Sequence, residues 1–269
     1  MIYKTLNNNR VIPMLGLGVF KSGADTYNAV RYALEAGYRH IDTAAVYDNE
    51  EAVGQAVKDS GIKREEVFIT SKVWTTDMRA GRTEEAILNS LRLLKTDYID
   101  LYLIHWPVVD EIVNTYKVME EYHKKGALLS IGTSNHLRHH LTALTEATTI
   151  KPAVNQIEIH PYLIQEDEVN FNREINVATE SWSPLARGRV LSEPILSAIS
   201  AKYGKTPAQI VVRWHLQRDL IVIPKSIHKE RIIENISVFD FTLSDEDMNK
   251  ISALNRNLRT GSHPDFFKF

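Results

Sequence analysis

The chain has 269 residues, of which 43% are hydrophobic and 25% are charged, and it contains no cysteine. This composition is typical of a globular enzyme, and the length suits one large α/β barrel or two ordinary domains. The formal net charge of -2 gives no basic footprint for nucleic acid, and the lack of cysteine excludes disulfides and thiolate nucleophiles. Because neither a signal-peptide core nor a long apolar run is visible, we expect a cytoplasmic protein that does not bind membranes.

The chain opens with a hairpin pattern, because apolar and polar residues alternate over 2–13 around three asparagines that suit a tight turn. Short apolar strands then alternate with amphipathic helices for the rest of the chain. The predicted strands are 15–18, 40–42, 67–71, 99–104, 128–133, 153–159, 176–181 and 220–223. The predicted helices are 24–36, 50–60, 83–94 with Thr83 as N-cap, 115–125, 137–148, 165–174, 194–203, 207–218, 229–238 and 244–254 with Ser244 as N-cap.

Eight strands that alternate with helices predict βαβ units and a parallel sheet. The strands are apolar enough to be buried on both faces, and no linker or low-complexity stretch interrupts the alternation. A doubly wound fold would have a glycine-rich phosphate turn after its first strand, but the stretch from Gly16 to Lys21 lacks the third glycine. We therefore predict one (β/α)8 TIM barrel domain over residues 1–269, with an N-terminal β-hairpin and extra helices.

Polar residues follow most of the predicted strands at the point where each strand ends. Asp42, Lys72 and His105 end the second, third and fourth strands, and Tyr47 lies five residues beyond Asp42. An aspartate after one strand is more often a helix cap, but the carboxyl ends of barrel strands converge on one face. The set therefore predicts an active site. The other polar strand ends are Ser134-Asn135, Gln156, Trp182-Ser183 and Lys225-Ser226.

The residue types at these strand ends favour proton and hydride transfer over acyl transfer, because no serine or cysteine is paired with a base in a recognisable motif. Lys72 could form a Schiff base, or it could pair with Asp42 and place a positive charge beside Tyr47. A free tyrosine has a pKa of about 10, and we expect the neighbouring ammonium to lower the pKa of Tyr47. With His105 as a second donor, Tyr47 could protonate a carbonyl oxygen while a cofactor delivers hydride to carbon.

The stretches that carry these residues resemble the aldo-keto reductases along the whole chain. They are Gly37-Tyr-Arg-His-Ile-Asp-Thr-Ala44, Tyr47-Asp-Asn-Glu50, Thr70-Ser-Lys72, Asp100-Leu-Tyr-Leu-Ile-His-Trp-Pro107, Gly132-Thr-Ser-Asn135, Pro152-Ala-Val-Asn-Gln-Ile-Glu158, Glu180-Ser-Trp-Ser-Pro-Leu185 and Ile223-Pro-Lys-Ser226. Within the family the chain looks most similar to bacterial 2,5-diketo-D-gluconate reductases, on Asn135-His136, Glu180-Ser-Trp182 and His263-Pro-Asp265. The resemblance implies NADPH-dependent reduction of aldehydes or ketones to alcohols, with keto sugars and methylglyoxal as candidate substrates.

The resemblance also implies a role for each site residue. Tyr47 would be the general acid, Lys72 and Asp42 would tune it, and His105 would orient the carbonyl. Ser134, Asn135 and Gln156 would hold the nicotinamide carboxamide, and Trp182 would stack on its ring. The remaining implied cofactor residues are Ser183 and Leu185, which follow Trp182, together with Lys225, Ser226 and Arg231 at the adenosine 2′-phosphate and Glu234 and Asn235 at the adenine.

The candidate substrate pocket is lined by Phe20, Trp74, Trp106 and His136, for which ordinary packing is the alternative interpretation. Val73-Trp-Thr75 stands where many family members have Leu-Trp-Asn, and the loop 108–114 and the C-terminal tail are short. These departures leave the physiological substrate open.

Two other functions remain alternatives. One is a Schiff-base aldolase with Lys72 as nucleophile, which is weakened because Asp42 would keep the lysine protonated. The other is a barrel that binds NADPH as a redox sensor without turnover, for which the full set of four polar residues would be unnecessary. We expect a monomer. We also expect that no metal is needed, and His136 and His140 lack the glutamate of the helical zinc motif.

Overall fold

The computed structural model describes all 269 residues, in ten strands and eleven α-helices. The strands are β1 (Tyr3–Thr5), β2 (Val11–Pro13), β3 (Leu17–Gly18), β4 (His40–Asp42), β5 (Phe68–Val73), β6 (Leu101–Ile104), β7 (Ile131–Ser134), β8 (Val154–Glu158), β9 (Ala178–Trp182) and β10 (Ile221–Val222). The helices are α1 (Thr26–Glu35), α2 (Glu50–Asp59), α3 (Thr75–Arg79), α4 (Thr83–Leu94), α5 (Ile112–Lys124), α6 (Arg138–Ala147), α7 (Glu166–Glu174), α8 (Pro194–Tyr203), α9 (Pro207–Gln217), α10 (Lys229–Ile236) and α11 (Asp245–Ser252).

Strands β3 to β10 form one eight-stranded sheet in which each strand pairs with its neighbour in the chain. The pairs between adjacent strands are parallel throughout. Parallel bridges from Leu15 to Val222 and from Gly18 to Lys225 join the first strand to the last, so the sheet closes on itself. The predicted (β/α)8 barrel is confirmed, and every strand directs its carboxyl end to the same face.

The antiparallel hairpin of β1 and β2 covers the opposite end of the barrel, as predicted. Leu6 and Ile12 are buried there against apolar residues at the amino-terminal ends of the strands. The amide of Asn7 donates to the main-chain oxygens of Pro152 at 2.7 Å and Asn176 at 3.0 Å, which precede β8 and β9. Access to the barrel interior is therefore left to the carboxyl end of the strands.

Most of the core is apolar and lies between the sheet and the surrounding helices, but part of the barrel interior is polar. His40, Asp42, Lys72, Gln156 and Glu180 are all at most 2% exposed. Burying ionisable groups is costly unless they are paired and hydrogen-bonded, so this cluster is the feature of the fold that most needs a functional explanation. None of the surrounding helices has both the length and the hydropathy that a bilayer crossing requires.

One additional helix and one helix cap differ from the sequence predictions. Helix α3 was not predicted, because its five residues are too few for a helical period to show. Arg82, rather than Thr83, is the N-cap of α4, and the Thr83 side chain is buried with its hydroxyl 3.5 Å from that of Thr115. The cap of α11 is as predicted, since the Ser244 hydroxyl accepts from the Asp247 amide.

Candidate active site

A buried ion pair lies at the carboxyl end of the barrel. The Lys72 ammonium on β5 donates to both carboxylate oxygens of Asp42 at 2.7 Å, and to the main-chain oxygen of Thr43 at 2.8 Å. Three acceptors satisfy the three N–H groups of the ammonium, so Lys72 has no free donor. This arrangement disfavours the Schiff-base alternative, since imine formation needs the lone pair of a neutral amine.

Tyr47 lies directly above this ion pair, in a short 3-10 turn that follows β4. Its hydroxyl is 3.5 Å from Nε2 of His105, and the Lys72 ammonium is 5.3 Å from the centre of its ring. The structure therefore brings together Asp42, Tyr47, Lys72 and His105 on one face. Tyr47 is only half-buried, so its hydroxyl can meet a molecule that enters from solvent.

The pKa shifts of these groups keep the tyrosine and the histidine neutral. Burial and the negative charge of Asp42 raise the pKa of Tyr47 above its usual value of 10, and a negative charge on Glu180 would raise it further. Burial and the charge of Lys72 lower the pKa of His105 below 6.5. The expectation of a lowered Tyr47 pKa is wrong, because burial and the negative charge of Asp42 outweigh the effect of the Lys72 ammonium 5.3 Å from the ring. Tyr47 therefore carries a proton that it can donate.

The residues predicted to hold the nicotinamide carboxamide surround this cluster. Asn135, in a left-handed conformation that asparagine tolerates, donates to the His105 main-chain oxygen at 3.0 Å and accepts from the Trp182 indole at 2.9 Å. The Ser134 hydroxyl donates to the Gln156 main-chain oxygen at 2.9 Å. These contacts orient Ser134, Asn135 and Trp182 before any ligand is bound.

The other residues predicted to hold the cofactor lie in the turns after β9 and β10 and on α10. Lys225 and Arg231 are exposed and form no ion pair, while the buried Ser226 hydroxyl accepts from the His228 amide at 3.1 Å. Glu234 accepts from the Thr206 hydroxyl at 2.7 Å. The set is completed by Asn235, which is buried on α10, and by Ser183 and Leu185, which are half-buried in the turn after β9.

Three of the four predicted pocket residues form an aromatic wall beside the cluster. The Phe20 ring lies 4.9 Å from that of Tyr47, and the Trp74 ring lies 5.0 Å from that of His105, while Trp106 is nearly buried. His136 does not join this wall, because it is fully buried and its Nδ1 lies 2.8 Å from the main-chain oxygen of Ser134. It supports the strand end and exposes no surface to a substrate.

The C-terminal tail completes the wall, which the sequence did not reveal. Phe269 stacks on Trp74 with ring centres 5.2 Å apart and lies edge-on to Trp106 at the same distance. The Arg79 guanidinium donates to the Phe269 main-chain oxygen at 3.2 Å, and Asp265 lies 3.1 Å from the His139 ring nitrogen. Three phenylalanines within the last four residues were the only sequence signal of this contact.

Close contact also fixes the loop before this tail. A side chain at Gly261 would bring its Cβ within 2.4 Å of the Trp182 ring, so only glycine fits. The amide of Thr260 donates to the buried carboxylate of Glu158 at 2.7 Å. The tail is thereby tied to the strand ends and to Trp182.

We expect Trp74→Ala to change which carbonyl compounds are used, because it removes the face on which Phe269 stacks and opens the wall beside His105. The ratio of kcat/KM for aromatic and small aliphatic aldehydes should change at least about fivefold, since apolar pocket changes alter discrimination by about 1–3 kcal/mol. Phe266→Ala is the control, because that ring is 74% exposed and packs on His263. An unchanged ratio in Trp74→Ala would assign Trp74 to packing alone.

Comparison with known proteins decides the family. The model of the aldo/keto reductase family matches residues 14–256. The chain belongs to the aldo/keto reductase family. Among curated aldo/keto reductases it is 47% identical to the glyoxal reductase of Bacillus subtilis, over 98% of this chain and 96% of that protein. It is also 47% identical to the methylglyoxal reductase DkgA of Escherichia coli K12, over 97% and 96%.

Solved aldo/keto reductase structures show the same fold. An aldo-keto reductase from a Medee basin deep-sea metagenome has a TM-score of 0.97 and 44% identity, over 99% of this chain and all of that one. An aldo-keto reductase of Bombyx mori in complex with NADP has a TM-score of 0.91 and 36% identity, over 98% and 96%. The family resemblance is confirmed, and the protein is an oxidoreductase by family.

Proposed function

We propose that this aldo/keto reductase uses NADPH to reduce small aldehydes and ketones to alcohols, with Tyr47 as the general acid. The observation that carries the proposal is the position of the neutral Tyr47 hydroxyl, 3.5 Å from His105 and above the Lys72–Asp42 ion pair. A protonated phenol beside a neutral imidazole gives two groups that can bind one carbonyl oxygen. The half-buried aromatic wall beside them suits a small, partly apolar carbonyl compound.

In the mechanism that we propose, the carbonyl oxygen binds between the Tyr47 hydroxyl and Nε2 of His105. NADPH, when bound, supplies the hydride to the carbonyl carbon. As negative charge develops on the oxygen, Tyr47 donates its proton and His105 donates a hydrogen bond. Lys72 stabilises the phenolate that remains, because its positive charge is fixed near the ring by Asp42.

The chain also carries groups that suit the cofactor. Lys225 and Arg231 are exposed cations without ion-pair partners, beside the amino-terminal end of α10, where the helix dipole favours a phosphate. Trp182 offers a ring held in orientation by Asn135. We therefore assign the adenosine 2′-phosphate to Lys225, Ser226 and Arg231, the adenine to Glu234 and Asn235, and the nicotinamide to Ser134, Asn135, Gln156 and Trp182. Ser183 and Leu185 complete the proposed cofactor site.

If these cations recognise the 2′-phosphate, Lys225→Ala and Arg231→Ala should each weaken NADPH binding by about 10- to 150-fold. That range corresponds to a loss of about 1.5–3 kcal/mol per charged hydrogen bond. NADH lacks this phosphate, so its affinity should change little. Fluorescence titration of both cofactors measures the difference.

Lys250→Ala is the control for these titrations, because Lys250 pairs with Glu246 on α11 and should not affect either cofactor. Equal losses of NADPH and NADH affinity in the Lys225 and Arg231 variants would show that these residues do not contact the phosphate.

We propose α-dicarbonyl compounds such as glyoxal and methylglyoxal as the substrate class, with keto sugars as the second class to test. This part of the proposal is supported by the two bacterial relatives, which are a glyoxal reductase and a methylglyoxal reductase. The experiment is to compare kcat/KM for glyoxal, methylglyoxal, keto sugars and aromatic aldehydes by following NADPH absorbance. Higher kcat/KM for the two dicarbonyls supports the assignment, and a preference for aromatic aldehydes contradicts it.

A further inference from the structure

A second carboxyl group, which the proposed mechanism does not use, is buried next to the catalytic ion pair. Glu180 lies on β9 and is fully buried. Its Oε2 accepts from the Gln156 amide nitrogen at 3.1 Å, and the same nitrogen donates to Asp42 Oδ2 at 2.8 Å. One amide therefore bridges two carboxyl groups inside the barrel. Only one ammonium, that of Lys72, is available to balance them.

The partners of the two carboxyl groups show which of them is ionised. Both oxygens of Asp42 contact the Lys72 ammonium at 2.7 Å, as expected of a carboxylate. Glu180 has no cationic partner, and its Oε1 forms no hydrogen bond. A buried carboxylate with one bare oxygen is very costly, whereas a neutral carboxylic acid at the same place is not.

The ring of His40 is the nearest polar group to the unpartnered Oε1 of Glu180, and it cannot donate to that oxygen. Nδ1 of His40 is 3.3 Å from the Pro13 main-chain oxygen, which can only accept, so Nδ1 carries the ring proton. Burial lowers the pKa of His40 to about 3, so the ring is neutral, and its Nε2 is an acceptor to which the Thr70 hydroxyl can donate at 3.1 Å. Oε1 of Glu180 faces this nitrogen at 3.7 Å. The ring therefore offers Oε1 no hydrogen-bond donor, and an ionised Oε1 would be buried without any partner.

The charged and titratable groups around Glu180 are few. They are His40 and Asp42 on β4, Lys72 on β5, and Tyr47 in the turn after β4, while the paired residues Ile221 on β10 and Gln156 on β8 do not titrate. Burial and the negative charge of Asp42 raise the pKa of Glu180 well above the usual range of a glutamate. Ionised Glu180 would in turn raise the pKa of Tyr47 further and make it a weaker acid.

We propose that Glu180 is a positioning residue of the reaction. As a neutral acid it leaves Asp42 as the sole anionic partner of Lys72, and its ionisation at alkaline pH slows proton donation by Tyr47. The inference rests on the proposed carbonyl reduction and adds a group that controls its pH dependence. Glu180 does not touch the reacting atoms, and it acts through Gln156, Asp42 and Tyr47.

The test compares the pH dependence of kcat for methylglyoxal reduction in the wild type and in Glu180→Gln. Glutamine can still accept from Gln156 and donate toward His40, but it cannot ionise. The alkaline fall in kcat should move upward by at least about one pH unit, because it no longer reports Glu180. The conservative variant Glu180→Asp should keep its alkaline fall closer to the wild-type pH than Glu180→Gln does, because an aspartate at this position can still ionise.

The matched control is Glu120→Gln, a buried glutamate on α5 that accepts from Thr149 and Ile150 and touches no active-site residue. Its alkaline fall should coincide with that of the wild type. Coincident profiles for Glu180→Gln and the wild type would overturn the proposal.

Infrared spectroscopy of the wild type reports the protonation state of buried carboxyl groups directly and does not need a folded variant. A neutral carboxylic acid has a carbonyl stretch that a carboxylate lacks, so the band should be present at neutral pH and disappear as the alkaline fall in kcat occurs. A missing band would overturn the proposal for Glu180. If the band is present but the protein reduces no carbonyl compound, the assignment of a neutral Glu180 stands and the proposed function is contradicted.

Discussion

Tyr47→Phe is expected to lower kcat for carbonyl reduction by about 10²- to 10⁴-fold, the usual contribution of general acid catalysis. Phenylalanine keeps the ring that packs on Phe20 and removes the hydroxyl that faces His105. NADPH affinity should stay within about threefold of the wild type, since Tyr47 is outside the proposed cofactor site. Steady-state kinetics and fluorescence titration measure the two effects separately.

Tyr27→Phe is the matched control, because it removes a tyrosine hydroxyl that bonds to Asp59 near the surface, away from the ion pair. It should retain wild-type kcat. If Tyr47→Phe also retained near wild-type kcat, a different group would have to supply the proton, and the proposed mechanism would fail.

Lys72→Met is expected to abolish most activity and to lower the free energy of unfolding by about 3–5 kcal/mol. The change leaves the buried Asp42 carboxylate without its cation, and breaking a buried ion pair from one side costs about that much. Urea denaturation measures the stability loss as a lower midpoint, with the slope of the transition as a check that the unfolded state is unchanged.

A double variant separates the stability of the pair from its role in catalysis. Replacing both partners, as in Lys72→Met with Asp42→Leu, should recover much of the stability, because a well-packed apolar pair avoids the burial of charge. Activity should not return, since no ammonium remains near Tyr47. A double variant that regained activity would show that the ion pair only supports the fold.

Most of the barrel is visible in the sequence because each strand is a short apolar run between amphipathic helices. The start of β6 was predicted two residues early, because Ile99 forms only an isolated bridge to Leu128 before the strand begins. Helix α3 has too few residues for a helical period to be seen. Such errors arise where tertiary contacts, rather than local pattern, decide the ends of elements.

The candidate site was predictable as far as it lies at strand ends, since barrel geometry brings together side chains such as Asp42, Lys72 and His105. The contact of Phe269 with Arg79 was not, because 190 residues separate them and no periodic pattern links them. The pKa of Tyr47 was predicted in the wrong direction. Its sign depends on how fully Asp42 neutralises Lys72 and on the buried Glu180, and neither can be judged from spacing.

The most direct test of the proposed reaction uses NADPH in which both hydrogens at C4 of the nicotinamide are replaced by deuterium, with methylglyoxal as the carbonyl compound. If hydride passes from cofactor to carbonyl carbon, the alcohol product should contain one deuterium, which mass spectrometry detects, and Tyr47→Phe should yield little product. An alcohol without deuterium would contradict the account. Binding of NADPH without any carbonyl-dependent oxidation of the cofactor would also contradict the account, and it would favour a redox sensor.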